Sequence, residues 1–167
     1  MLNSANLKWL WITTIVIILD LWTKQLISNS MHLYQSITII DGFFNFTLLH
    51  NTGAAFSFLA DQSGWQRWFF TIISIVISII LLIWLARLKP SERILAIALT
   101  LVLGGALGNL WDRVTLGYVV DFLDVYIQWN GQERHWPAFN IADSAISMGA
   151  VLLLIDAFSP EKSTKQP

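Results

Sequence analysis

The chain contains no cysteine. Disulfides, thiolate metal sites and a cysteine nucleophile are therefore excluded. Charge is also scarce: ten Lys and Arg and eleven Asp and Glu in 167 residues, with a formal net charge of −1. That is too little charge to coat a water-soluble globule of this length, since about a quarter of an ordinary domain is charged. It leaves no basic footprint for nucleic acid. No phosphate-binding glycine loop, H-E-x-x-H or G-x-S-x-G pattern occurs, and His32, His50 and His135 are scattered without ligand spacing. Disorder is excluded by a 55% hydrophobic composition.

What is present is apolar and sorted. Mean hydropathy is +0.59, and nine tryptophans fit a membrane–water interface. Trp68 to Ala86 is a run of 19 residues without charge, and Ile94 to Trp111 a run of 18. Either can cross a hydrocarbon core of about 30 Å at about 1.5 Å per residue. Two further spans carry charges: residues 8–27, with Asp20 and Lys24, and residues 140–158, with Asp143 and Asp156. The first lacks a small-residue cleavage site and reads as a retained helix. The expected fold is an all-α membrane protein, one domain over 1–167. It is a four-helix bundle with spans at about 8–27, 68–86, 94–111 and 140–158, joined on one side by segments 28–67 and 112–139.

Within segment 28–67, Ser36 to Leu48 reads as a β-hairpin about Asp41-Gly42. It is a candidate platform over a groove. Gln62 to Phe70, with Trp65, Trp68 and Phe69, reads as an interfacial helix. The polar segment 112–137 reads as a loop, and Gln128 to Trp136 within it receives no role. With both termini inside, the inner side carries Lys8, Arg87, Lys89, Arg93, Lys162 and Lys165, and the outer side Lys24, Arg67, Arg113 and Arg134. Eight of the eleven acids then fall outside or at the outer rim.

An ionisable group inside a membrane helix costs about 2.5–3.5 kcal/mol at mid-depth, so such groups are candidates for function. Asp143 lies near the start of the fourth span, three residues after Asn140 and on the same helix face. Asp121 ends the apolar run from Gly117, on the same side of the bundle. Two converging carboxylates that share a proton can activate water and polarise a carbonyl without metal, cofactor or nucleophilic side chain. Asp124 is a rival member of such a pair. Locally, Asp112-Arg113 reads as a surface ion pair at a helix end, Asp20 and Lys24 as an i,i+4 pair, Asn109 as a cross-helix hydrogen-bonder, Gly104-x-x-x-Gly108 as close helix packing, and Asn51 to Phe56 as a bend.

Taken together, Asn51-Thr52-Gly53-Ala54-Ala55-Phe56, Gly105-x-x-Gly108-Asn109-x-x-Asp112-Arg113, Val119-Val120-Asp121-Phe122 and Phe139-Asn140-Ile141-Ala142-Asp143-Ser144 closely resemble the lipoprotein signal peptidase family, signal peptidase II. The resemblance runs over residues 8 to 158. It implies a bacterial inner-membrane aspartic endopeptidase with N and C termini inside and its active site facing the periplasm. Such an enzyme removes the signal peptide of prolipoproteins just before a diacylglyceryl-modified cysteine. It further implies that Asp121 and Asp143 are the catalytic pair. Asn51, Arg113 and Asn140 would contact substrate or support the pair, and Asp20, Lys24, Gly53, Asn109 and Asp112 would be supporting positions. The partners it implies are the prolipoprotein, membrane lipid and a cyclic peptide inhibitor of the globomycin type. Two rival classes fit less well. A proton-coupled exporter would place an acid mid-helix, whereas the second and third spans have uncharged centres. A scaffold would leave the polar blocks unexplained.

Overall fold

A computed structural model of the chain describes residues 4–53 and 64–158. Four helices dominate it: α1 (Leu10–Ser30), α2 (Trp65–Arg87), α3 (Arg93–Thr115) and α4 (Ile141–Phe158). A short 3-10 helix, Ser4–Trp9, leads into α1. All four helices are long and apolar enough to cross a membrane. Their outward faces carry Ile72, Ile79 and Ile80 of α2, Ile18 and Trp22 of α1, and Val151 and Leu154 of α4, each more than half exposed. So much exposed aliphatic surface calls for hydrocarbon around it.

The helices run further than the uncharged stretches. α3 continues past Trp111 to Thr115 and keeps Asp112 and Arg113 inside the helix. A charge can be buried within a helix when it has a partner, and Asp112 has one in Lys24. α2 begins at Trp65, so Trp65, Trp68 and Phe69 lie in its first turns. No separate interfacial helix precedes it among the described residues, and Gln62 lies outside them.

α3 is the hub, packing against α1, α2 and α4. Leu81, Leu85 and Leu88 interlock with Leu95, Leu99 and Leu103 to join α2 to α3. The α3–α4 contact is closer still. A Cβ on Gly105 would collide with the Ala142 carbonyl oxygen, and one on Gly149 would meet the Ala98 carbonyl oxygen at 2.8 Å. Small residues here let two backbones touch.

One end of the bundle carries an antiparallel sheet in the order β1 (Ser36–Ile40), β2 (Phe44–Asn51), β3 (Val119–Trp129), β4 (Gln132–His135). β1 and β2 form the hairpin. β3 and β4 correct the reading of 112–137 as a loop. Two carboxylates in β3 obscure its apolar alternation, and the groups that satisfy them arrive from other elements. Asn51 pairs with Val119 and Leu49 with Asp121, which brings the end of β2 beside the start of β3. Met31, Leu48 and Val120, with Ile27, Phe46 and Tyr118, pack the sheet onto the end of α1.

Candidate active site

A cavity of about 500 Å³ opens where the sheet meets α3 and α4, lined by Asn51, Asn109, Arg113, Asp121, Asp143 and Phe139 among others. β3 delivers Asp121, and α4 delivers Asp143 in its first turn.

Asp143 is held by its own helix start. Asn140 Oδ1 accepts from the Asp143 backbone N–H at 2.9 Å, and Asp143 Oδ2 accepts from the Asn140 backbone N–H at 3.3 Å. This is a reciprocal capping box, and its N-x-x-D signature was present in the sequence. The second oxygen, Oδ1, accepts from Asn109 Nδ2 at 2.8 Å. Asp121 is held symmetrically: Asn140 Nδ2 donates to one oxygen at 2.8 Å and Asn51 Nδ2 to the other at 2.9 Å. Asn140, fully buried, thus touches both carboxyl groups. Burial first, and the nearby charge of Asp143 second, push the Asp121 carboxyl up to about 7, against the opposing pull of Asn51, Lys24 and Asn140.

Asn51 does more than bend the chain. Its Oδ1 accepts from the Gly53 N–H at 3.0 Å, leaving its amide nitrogen to donate to Asp121. The rest of that block, Ala54 to Phe56, lies outside the described residues. Arg113 and Asp112 do not form the surface ion pair expected locally. Asp112, buried, turns inward to Lys24 at 3.0 Å and accepts from the Val120 N–H at 3.1 Å. Arg113 reaches into the cavity, donates to the Gly53 carbonyl at 3.4 Å and lies over the Phe70 ring. Neighbouring residues of one helix point about 100° apart, which sends one to the core and the other to the cavity.

Beneath the pair lies a charge cluster. Lys24 Nζ sits 2.7 Å from Asp20 and 3.0 Å from Asp112, and donates to Asn109 Oδ1 at 3.0 Å. All three charges are buried. Asp20 Oδ1 accepts from the Ala142 N–H at 2.9 Å, and Gly108 leaves room for its other oxygen, which a Cβ would meet at 2.6 Å. Through Asn109 this cluster adjoins Asp143.

Asp124 stands apart. It lies three residues from Asp121 along a strand whose side chains alternate, so the two face opposite sides. Asp124 Oδ1 pairs with His135 Nδ1 at 2.7 Å. Four further residues escaped the sequence reading. Arg67 donates to the Arg113 and Val114 carbonyls, both at 2.7 Å, capping the end of α3. Trp136, Pro137 and Ala138 line the cavity. Arg67 shows only a lone cation in the sequence, but the aromatic–proline pair beside Phe139-Asn140 was a visible signal.

Hydrogen-bonded carboxyl groups, Asp121 buried and Asp143 partly so, at the mouth of a bundle of lipid-length helices mark a multi-pass membrane protein with a polar site at one end of its bundle. The family described as Signal peptidase (SPase) II matches residues 12–159, and the chain belongs to that family. It is 56% identical over 159 residues to a lipoprotein signal peptidase of Pseudomonas aeruginosa (strain UCBPP-PA14), covering 95% of this chain and 92% of that one. It is 53% identical over 156 residues to one from Alteromonas mediterranea, covering 93% and 83%. A solved structure described as a bacterial membrane enzyme superposes with a TM-score of 0.82 at 35% identity, over 96% of this chain and 93% of that chain.

Proposed function

We propose that the chain is an aspartic endopeptidase of the bacterial inner membrane that cleaves diacylglyceryl-modified prolipoproteins just before the lipidated cysteine. Asp121 and Asp143 are its catalytic pair. The observation that carries this reading is the cavity in which both carboxyl groups, bridged by Asn140, face the same space.

The chemistry follows from one proton shared by two acids. Asp121, with its carboxyl pushed to about 7, holds the proton below neutrality and polarises the scissile carbonyl. Asp143, ionised and fixed by Asn109 and the capping box, takes a proton from water. A tetrahedral gem-diol forms and collapses, and the leaving amine receives a proton from the pair. Arg113 and Asn51 contact the substrate backbone beside the scissile bond. A substrate whose acyl chains stay in the bilayer presents that bond at the helix ends, where the pair sits.

The sheet end faces the periplasm, and both termini lie inside. Three of the four basic residues assigned to the outer side are tied within the protein: Lys24 to Asp20 and Asp112, Arg67 to the end of α3, and Arg113 over Phe70. They therefore weigh little against the basic loop Arg87–Arg93. The hairpin β1–β2, with Ile37, Ile39 and Ile40 exposed, rests on the lipid surface as a platform beside the groove. A cyclic peptide of the globomycin type would occupy the same cavity.

The test is a gel-shift assay with purified protein and a diacylglyceryl-modified prolipoprotein, in the presence of chelator. The expected result is a shortened, still lipidated product, with none from the unmodified precursor. Equal cleavage of both precursors would contradict the lipid requirement.

A further inference from the structure

A second groove, of about 660 Å³, lies on the face of the sheet to which Asp124 points. Its lining includes Asn45 and Thr47 of β2, Asp124 of β3, and Glu133 and His135 of β4. Trp136, Pro137 and Ala138 line both this groove and the catalytic cavity, so the two share a wall three residues wide.

The polar groups of the groove are acceptors in excess. Asp124, buried, accepts from Thr47 Oγ1 at 2.9 Å and from Asn45 Nδ2 at 3.4 Å, and pairs with His135. Glu133, half exposed, approaches His135 Nε2 at 3.4 Å. Among the described residues, no lysine or arginine lines the groove. A separate observation points to a ligand: Asn45, only 6% exposed, has a buried side-chain oxygen with no hydrogen-bond partner. A buried acceptor left unpaired is destabilising, and this one belongs to a residue that lines the groove.

From this we infer that the groove is the subsite for the first residues on the mature side of the scissile bond, and that it selects hydrogen-bond donors, neutral or cationic, against carboxylates. The inference rests on the proposed peptidase reading. The signal-peptide side of a substrate is apolar and belongs among the helices. The mature side is polar and must leave over the sheet, and the shared wall at Trp136–Ala138 is where the two spaces meet. A carboxylate arriving there faces Asp124 and Glu133, with His135 the cationic candidate among the described lining residues, and like-charge juxtaposition is a strong discriminator.

The test uses the full-length protein in proteoliposomes with diacylglyceryl-modified substrates that differ only in the residues just after the lipidated cysteine. These carry Asn, Lys or Asp. The wild type is expected to cleave the Asp substrate with kcat/KM about tenfold below the Asn substrate, and the Lys substrate at least as well as Asn. Asp124→Asn with Glu133→Gln should bring the Asp-to-Asn ratio close to one. Glu133→Lys, at a half-exposed position that does not endanger folding, should shift the ratio in favour of Asp. A purely structural role for these residues would lower all rates together and leave the ratio unmoved. A wild-type ratio near one, or a wild-type ratio retained in Glu133→Lys, overturns the subsite. Cleavage of none of the three substrates would instead overturn the peptidase reading, and the subsite with it.

Discussion

Asn140 donates a side-chain N–H to Asp121 at 2.8 Å while its side-chain oxygen caps α4 by accepting from the Asp143 backbone N–H. One amide therefore sets the relative position of two acids carried by different elements, a strand and a helix. Asn140→Ala removes both bonds at once. Misplacing reacting groups by about an ångström costs on the order of a hundredfold, so turnover should fall by about that factor. Loss of the cap should cost about 1 kcal/mol of stability. Steady-state kinetics beside thermal unfolding in detergent separates the two effects, and turnover within a fewfold of wild type would show that the bridge is dispensable.

The titration of Asp121 gives a signed pH dependence. Its carboxyl stands at about 7 in the folded chain, against about 3.9 when unfolded. Between these values the folded state holds a proton that the unfolded state has released. The stability this contributes is present in full below about pH 4 and is lost as pH rises through 7. At about 1.4 kcal/mol per unit the loss approaches roughly 4 kcal/mol. Asp121→Asn should therefore be more stable than wild type at pH 8, with the advantage vanishing near pH 4, which melting curves across that range would check. The same titration predicts that kcat/KM of the wild type falls on the alkaline side with an apparent midpoint near 7 belonging to the pair.

Lys24 is the cation shared by two buried acids. Lys24→Met leaves Asp20 and Asp112 buried without their cation, and breaking such a cluster from one side costs about 3–5 kcal/mol. Lys24→Met with Asp20→Asn should recover part of the loss. Unfolding measured on the single and double variants checks this, and a double variant no more stable than the single would argue against charge as the cause.

Gly105 lets α3 touch α4. Gly105→Ala sets a methyl against the Ala142 carbonyl, one residue before Asp143, and must push the helices apart. Overpacking of this kind costs about 1–3 kcal/mol, and activity should fall with it because Asn109 and Asp143 face each other across the same seam. A variant with wild-type stability and rate would show that the seam can yield.

How far these features were legible differs from element to element. α2 and α3 announced themselves as runs without charge, yet their ends did not, because Asp112 is buried within α3 beside Lys24, a partner far off in the chain. The hairpin was readable from local alternation and a turn pair. β3 was not: Asp121 and Asp124 break its apolar pattern, and the groups that satisfy them, Asn51, Asn140, Thr47 and His135, come from elsewhere. Reading β3 as a loop also hid the strand period that sends Asp124 to the opposite face, so the choice between the two acids rested on family resemblance alone. The N-x-x-D spacing of Asn140 and Asp143 was visible in four consecutive residues, but it reads as a shared helix face until the start of α4 at Ile141 makes Asn140 its cap.

The most direct measurement is cleavage of a diacylglyceryl-modified prolipoprotein by wild type, Asp121→Asn and Asp143→Asn, each first shown to be folded by its unfolding transition. Proton transfer by positioned groups contributes about a hundred- to ten-thousand-fold, and the pair supplies both transfers. The account predicts that each variant loses at least about a thousandfold in turnover. Either folded variant retaining a rate within about tenfold of wild type would contradict the assignment of the pair, since a lost proton transfer is worth more than that.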